Sequence, residues 1–233
     1  MQYQIERNFG CRVSDAWAFR GLKTVILEND QLKVVILAGK GADIYQFVHK
    51  QTDTDFLLRT PLGVRDPKAM VTTSGSGVGP WMDVYEGGWQ TVFPAGGYPS
   101  EYKGAELGLH AEASTIPWDC SIVEDKPSIV SVKFWVRTPR LPIYFEKTLT
   151  LESGTAILNI NETIINEGEE QIDIVWGEHI ALGSPFLNED CVLDLPGGSI
   201  LNEDDWHPNN RLKPNHKSSW PITETKAGNP VDL

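Results

Sequence analysis

The chain has 233 residues, with 20 basic against 32 acidic side chains and a formal net charge of −12 at pH 7. That balance excludes a nucleic-acid partner, because phosphate binding needs clustered Lys and Arg. Cys11, Cys120 and Cys191 lie far apart with no CxxC pair, which excludes a zinc ribbon or a disulfide framework.

The length fits one large all-β domain over residues 1–233, able to bury about 70% of the surface its unfolded chain exposes. Residues 1–20 lack a basic run followed by an apolar core, so no signal peptide is expected and the expected location is cytoplasmic. No apolar stretch approaches the ~20 residues that span a bilayer, so no membrane partner is expected.

In chain order, residues 23–28 (KTVILE) and 32–37 (LKVVIL) are β-branched runs, and Asn29-Asp30-Gln31 between them reads as a hairpin turn. A third strand is expected over 42–49, after the break at Gly39-Lys40-Gly41. Residues 61–80 carry Gly, Ser, Thr and Pro without periodicity and read as one long loop, a kind of segment that is usually functional or mobile. Residues 128–137, 143–151, 156–165 and 171–181 then follow as strands of about ten residues with short links, the pattern of an antiparallel meander in a sandwich or barrel. No segment has the period of a three-turn amphipathic helix, and residues 201–233 read as loop.

Three segments could carry chemistry. In 171–181, alternation places His179 on a mixed face with Asp173, Val175 and Gly177, and turns Glu178 to the opposite, apolar face. In Gly108-Leu109-His110-Ala111-Glu112, an extended backbone would point His110 and Glu112 the same way. Two imidazoles and a carboxylate could bind a metal, move protons near neutral pH, or serve structure alone, and spacing does not choose among these. Tyr85-Glu86-Gly87-Gly88-Trp89-Gln90 offers two glycines for close backbone approach, then an indole and an amide suited to a sugar's C–H faces and hydroxyls.

Taken in order, Gly87-Gly88-Trp89-Gln90…Phe93-Pro94, Gly108-Leu109-His110-Ala111-Glu112…Pro117-Trp118 and Trp176-Gly177-Glu178-His179-Ile180-Ala181-Leu182-Gly183 resemble the aldose 1-epimerase (galactose mutarotase-like) superfamily. The resemblance covers most of residues 20–195 and implies a β-supersandwich of twisted antiparallel sheets with a sugar cleft on one face. It implies interconversion of aldose anomers by acid/base catalysis, with no cofactor and no metal. His179 would be the acid toward the ring oxygen, and His110 would hydrogen-bond and polarise the sugar oxygens. Trp89, Gln90, Glu112 and Arg59 are the expected substrate contacts. The family's general base is a glutamate near the C-terminal end of a longer chain. Neither Glu203 nor Glu224 has a strand pattern around it, so the expectation is a domain truncated at its C-terminal end, with weak activity. A non-catalytic carbohydrate-binding domain of the same fold is the alternative. A metal-dependent cupin-like enzyme using His110, Glu112 and His179 ranks below both.

Overall fold

The computed structural model describes residues 7–71, 75–204 and 209–233, so residues 72–74 of the expected loop lie outside the described residues. The chain packs as two compact units, Met1–Asn188 and Glu189–Leu233.

The larger unit is two antiparallel sheets. The first contains β1 (Arg12–Phe19), β2 (Leu22–Glu28), β3 (Leu32–Leu37), β4 (Asp43–His49), the short β5 (Thr54–Asp55), β6 (Trp89–Val92) and β13 (Gly177–Ile180). Its order is β1-β2-β3-β4-β6-β13, with β5 on β4. Between β6 and the second sheet stands a small hairpin, β7 (Ser100–Tyr102) and β8 (Ala105–Leu107). The second sheet is a meander of β9 (Asp119–Lys126), β10 (Ile129–Arg137), β11 (Ile143–Glu152) and β12 (Leu158–Asn166). The only helical turns among the described residues are a 3-10 turn at Pro67–Ala69 and α1 (Gly79–Met82). No helix among them is long and apolar enough to cross a membrane.

The alternation that marks these strands in sequence also sets the layers. Along β11 the side chains of Ile143, Phe145, Lys147, Leu149 and Leu151 are buried while their neighbours are half-exposed. All but Lys147 meet Val25, Leu27, Val34 and Ile36 from β2 and β3 in one core. Phe145, fully buried, lies 4.9 Å from Phe93 and 5.1 Å from Trp118 between ring centroids, edge to face. Asn29 fixes the β2–β3 turn. Its Oδ1 accepts from Gln31 N at 2.8 Å and Leu32 N at 2.7 Å, and its Nδ2 donates to Glu152 O and Thr155 O of the other sheet. One buried amide thus sets the β2–β3 turn and ties the two layers together.

Where the edges β12 and β13 approach, the space between the layers turns polar. Trp89 Nε1 donates to Glu178 Oε2 at 2.6 Å, and Trp176 Nε1 donates to Glu162 Oε2 at 3.0 Å. Lys147 Nζ, on the core side of β11, donates to Thr91 Oγ1 at 2.9 Å. Burial raises the Glu162 carboxyl to about 7, the charge of Glu178 adds to the rise, and Lys147 opposes it.

The smaller unit departs from expectation. The stretch that reads as loop, residues 201–233, contains β15 (Lys217–Ser219), β16 (Ile222–Glu224) and β17 (Pro230–Asp232), and with β14 (Ser199–Leu201), which ends where it begins, these pair as two hairpins. Strands of three residues are too short for alternation to register in sequence. Buried Asn202 joins the hairpins, donating to Lys213 O and accepting from Thr223 Oγ1. Glu224, which lacks a strand pattern in sequence, lies at the end of β16. Its carboxylate is held below the usual range by a hydrogen bond from Lys213 at 2.7 Å.

The raised Glu162 carboxyl sets a pH dependence. Folded protein keeps this proton to about pH 7, whereas an unfolded glutamate loses it near ~4.3. The associated stability is therefore complete below about pH 4 and lost as pH rises through 7. Urea unfolding of wild type should show a falling midpoint between pH 5 and pH 8, and the fall should be smaller in Glu162→Gln.

Candidate active site

The register of β6 against β13 decides which side chains can meet. Gln90 is opposite His179, Thr91 opposite Glu178 and Trp89 opposite Ile180. Paired residues share a face, so His179 and Gln90 look outward while Trp89, Thr91 and Glu178 look into the space between the layers. Trp89 therefore does not line a cleft with Gln90, as adjacent residues of one strand cannot. Its indole is committed to Glu178 and packs edge-on to Phe47.

The Gly87-Gly88 pair explains how β6 reaches this position. Gly87 sits at φ 88°, and a Cβ there would fall 2.2 Å from Leu58 O, so only glycine lets the chains come this close. Gly88 N then donates to Leu58 O at 2.9 Å, and Ala181 N donates to Gly88 O at 3.0 Å.

His110 reaches the same place by a different route from the expected strand. It stands in a turn after β8, at φ 54°, and Ala111 follows at φ 60°. This left-handed pair reverses the chain so that Glu112 N and Ala113 N both donate to Phe93 O, just beyond β6. His110 N donates to Gly97 O at 3.0 Å, and Gly97 N donates back to His110 Nδ1 at 3.3 Å. With Nδ1 accepting, the neutral ring carries its proton on Nε2. The two imidazole centroids are 5.3 Å apart, with 52° between the planes.

The reversal separates His110 from Glu112. Glu112 is buried and faces Arg140, whose Nε lies 3.6 Å away and whose backbone N–H donates to it at 3.4 Å. Burial raises its pKa and Arg140 opposes the rise. Among the described residues, no three His, Cys, Asp or Glu side chains are grouped to hold a metal. Arg59 is bonded to Asp55 and to Leu57 O and Leu58 O, and lies 4.1 Å over the ring of Tyr45.

Two aromatic residues complete the imidazole cluster. Trp81 on α1 and Tyr85 just after it stack at 4.3 Å. Trp81 meets His110 edge-on at 4.7 Å and His179 at 5.6 Å, and Tyr85 stands perpendicular to His179 at 5.7 Å. Sequence reasoning assigned neither a role, although their spacing of four is the helical signal for side chains on one face. Three buried polar atoms here lack a hydrogen-bond partner: Trp81 Nε1, Gln90 Oε1 and His179 Nδ1.

Behind Gln90 lies a charged cluster that sequence reasoning also missed. Gln90 Nε2 donates to Asp43 Oδ2 at 3.1 Å, and Lys40 Nζ donates to the same oxygen at 2.5 Å and to Glu86 Oε1 at 3.1 Å. At most 1% of the surface of Lys40, Asp43 or Glu86 is exposed, too little for water to screen these charges. Burial raises the Asp43 carboxyl to about 7, with Lys40 opposing and Glu86 reinforcing the rise. Burial works against the Lys40 charge too, but Asp43 and Glu86 outweigh it and hold the amine above its ordinary value. Burial raises the Tyr85 phenol as well, and neighbouring Glu86 adds to it. A groove of about 630 Å³ elsewhere, beside β1, is lined by Arg7, Arg12 and Trp17. Both arginines are already paired there, with Asp125 and Glu28, and neither imidazole borders it.

Residues 19–226 match the family described as domain of unknown function (DUF4432). The chain belongs to this family. No curated protein matches the DUF4432 chain. Among solved structures, it is similar to a galactose mutarotase-like protein from Clostridium acetobutylicum, with TM-score 0.51 and 14% identity, over 77% of this chain and 56% of that one. It is also similar to a protein from Escherichia coli K12 provisionally described as an aldose 1-epimerase, with TM-score 0.44, 16% identity and coverage of 69% and 52%. A TPR-domain containing protein from Parabacteroides distasonis matches with TM-score 0.46, 17% identity and coverage of 64% and 22%. The chain thus spans about half the length of the first two and less of the third. The Clostridium likeness carries the fold: this DUF4432 protein is a galactose mutarotase-like β-sandwich.

Removing the amine of the buried cluster should be costly. Lys40→Met leaves two carboxylates buried without a cation and should destabilise by about 3–5 kcal/mol, measured by urea unfolding at pH 7.5. Part of the loss should return at pH 5, where protonation removes the buried negative charge.

Proposed function

We propose that this DUF4432 protein binds an aldose at the His110–His179 pair and interconverts its anomers. The observation that carries the reading is the pair itself, two imidazoles 5.3 Å apart on the outer face of a galactose mutarotase-like sheet. In the reaction, His179 as imidazolium gives a proton to the ring oxygen as the C1–O5 bond breaks. A solvent water takes the proton of the anomeric hydroxyl, and C1 becomes a carbonyl. Rotation about C1–C2 and the reverse proton transfers close the ring on the other face. His110, donating from Nε2, would hold and polarise a sugar oxygen. Gln90 would border the sugar beside His179. Arg59 is bonded to Asp55 and lies over the ring of Tyr45, and no contact with the sugar is assigned to it.

Neither candidate carboxylate takes the anomeric proton. Glu112 is committed to Arg140, and Glu178 faces the layer between the sheets. A positioned acid acting without its partner contributes about 10²–10⁴-fold, not the product of two such factors. That commitment of Glu112 favours a second reading, a carbohydrate-binding domain without turnover.

Polarimetry on pure anomers of D-glucose, D-galactose, D-xylose and L-arabinose separates the two. On the enzymatic reading, wild type accelerates mutarotation of at least one sugar above buffer. His179→Ala then removes the acceleration, and His110→Ala weakens sugar binding. No acceleration by wild type removes the epimerase claim, and sugar binding that persists in both variants points to the binding domain.

A further inference from the structure

Trp81 is almost fully enclosed, with 5% of its surface exposed, yet its indole N–H has no hydrogen-bond partner. A buried donor left unpaired costs about 1–3 kcal/mol, so proteins rarely keep one without use. The position is a costly one to fill with a large ring. Trp81 is delivered by α1 from the long segment before β6, and its stacking on Tyr85 fixes the plane of the indole. Its ring centroid lies 4.7 Å from that of His110 and 5.6 Å from that of His179, with both imidazole planes steeply inclined to the indole. A core tryptophan in the same molecule behaves otherwise: Trp118, equally buried, donates its N–H to Ala113 O at 2.9 Å. Trp89 and Trp176 likewise place their N–H groups on carboxylates.

We infer that Trp81 is a specificity-determining residue of the sugar site, its indole N–H donating to one acceptor oxygen of an aldose held against the imidazole pair. This rests on the proposed aldose site. The indole is a donor only, so it reads an oxygen lone pair and rejects an analogue that lacks that oxygen. It does not titrate, so it changes how strongly the sugar is held without setting the pH at which the imidazoles work. Gln90 Oε1, buried and unpartnered beside His179, supplies the complementary acceptor for a hydroxyl proton. The site then offers one fixed donor and one fixed acceptor in addition to the imidazoles, a pattern matched to a polyhydroxylated ring.

The test compares wild type with Trp81→Phe, which keeps an aromatic ring against Tyr85 and deletes the N–H. The substrates are whichever of the four aldoses wild type turns over or binds, and its monodeoxy and deoxyfluoro derivatives. The expected result is a loss of roughly 5- to 100-fold in kcat/KM or affinity, with an unaltered pH profile. Wild type should discriminate against removal of one particular oxygen, and the variant should lose that discrimination while keeping the others. As a second measurement, the Trp81 indole proton resonance, assigned by its proximity to the Tyr85 ring, should move downfield when wild type is saturated with the sugar. An active wild type whose discrimination is the same at every position in Trp81→Phe, with an unmoved indole resonance, overturns the inference and leaves the sugar site standing. A wild type that neither binds nor turns over any of the four sugars overturns both.

Discussion

An ammonium group with 1% of its side chain exposed must be matched by negative charge at contact distance, because water cannot screen it. Lys40 meets that demand from two directions, at Asp43 in the first strand residue after its own turn and at Glu86 beside the Gly87-Gly88 pair. The two carboxylates are 43 residues apart in the chain, so the amine joins the β3–β4 hairpin to the entry of β6. The β6 side of the candidate site follows from that junction. Gln90 is oriented by Asp43, His179 is placed by pairing with Gln90, and Tyr85 is adjacent to Glu86. One cation against two acids also leaves the cluster short of positive charge, which agrees with Asp43 retaining its proton to about pH 7.

The two faces of the first sheet are built on different physics. The inner face is apolar through β2 and β3 and closes on Phe134 and Phe145. Toward β6 and β13 it becomes polar, with indole donors, carboxylates and Lys147 satisfying one another. The outer face gathers rings and leaves buried polar atoms unpaired. Glu162 Oε1 is unpaired in the inner seam too, so what sets the outer face apart is the gathering of Trp81, Tyr85, His110 and His179 about its unpaired polar atoms.

Much of the sandwich was legible in the sequence because alternation is a direct imprint of a half-buried strand. The strand at residues 32–37 was found to the residue, and the four-strand meander only in part: β10–β12 emerged within two residues of their ends, while β9 was not resolved as a strand of its own. β1 escaped because a register shift between Ser14 and Trp17 breaks its period. The strand at 171–181 shrank to Gly177–Ile180, as Val175 N bonds to Pro94 O and Trp176 turns to Glu162 before sheet pairing begins. At the site, the facing of His179 and the turning away of Glu178 were readable from alternation. The approach of His110 was not, because it depends on two left-handed residues, neither of them glycine, which no local letter marks. Lys40 was hidden for the opposite reason: a charged residue between glycines reads as a solvated turn, and only tertiary contact reveals it as interior.

β13 has four residues and is the last strand in the order of its sheet, so its hydrogen bonds run to β6 on one side alone. Its far end is held where Ala181 bonds to Gly88 and receives Leu58. Short edge segments open locally at a free-energy cost well below that of global unfolding. The imidazole of His179 therefore rides on a four-residue strand paired on one side, while His110 is anchored by bonds in both directions to Gly97. The spacing between the two rings is thus set by a few backbone hydrogen bonds, those of β13 to β6 on one side and those of His110 to Gly97 on the other.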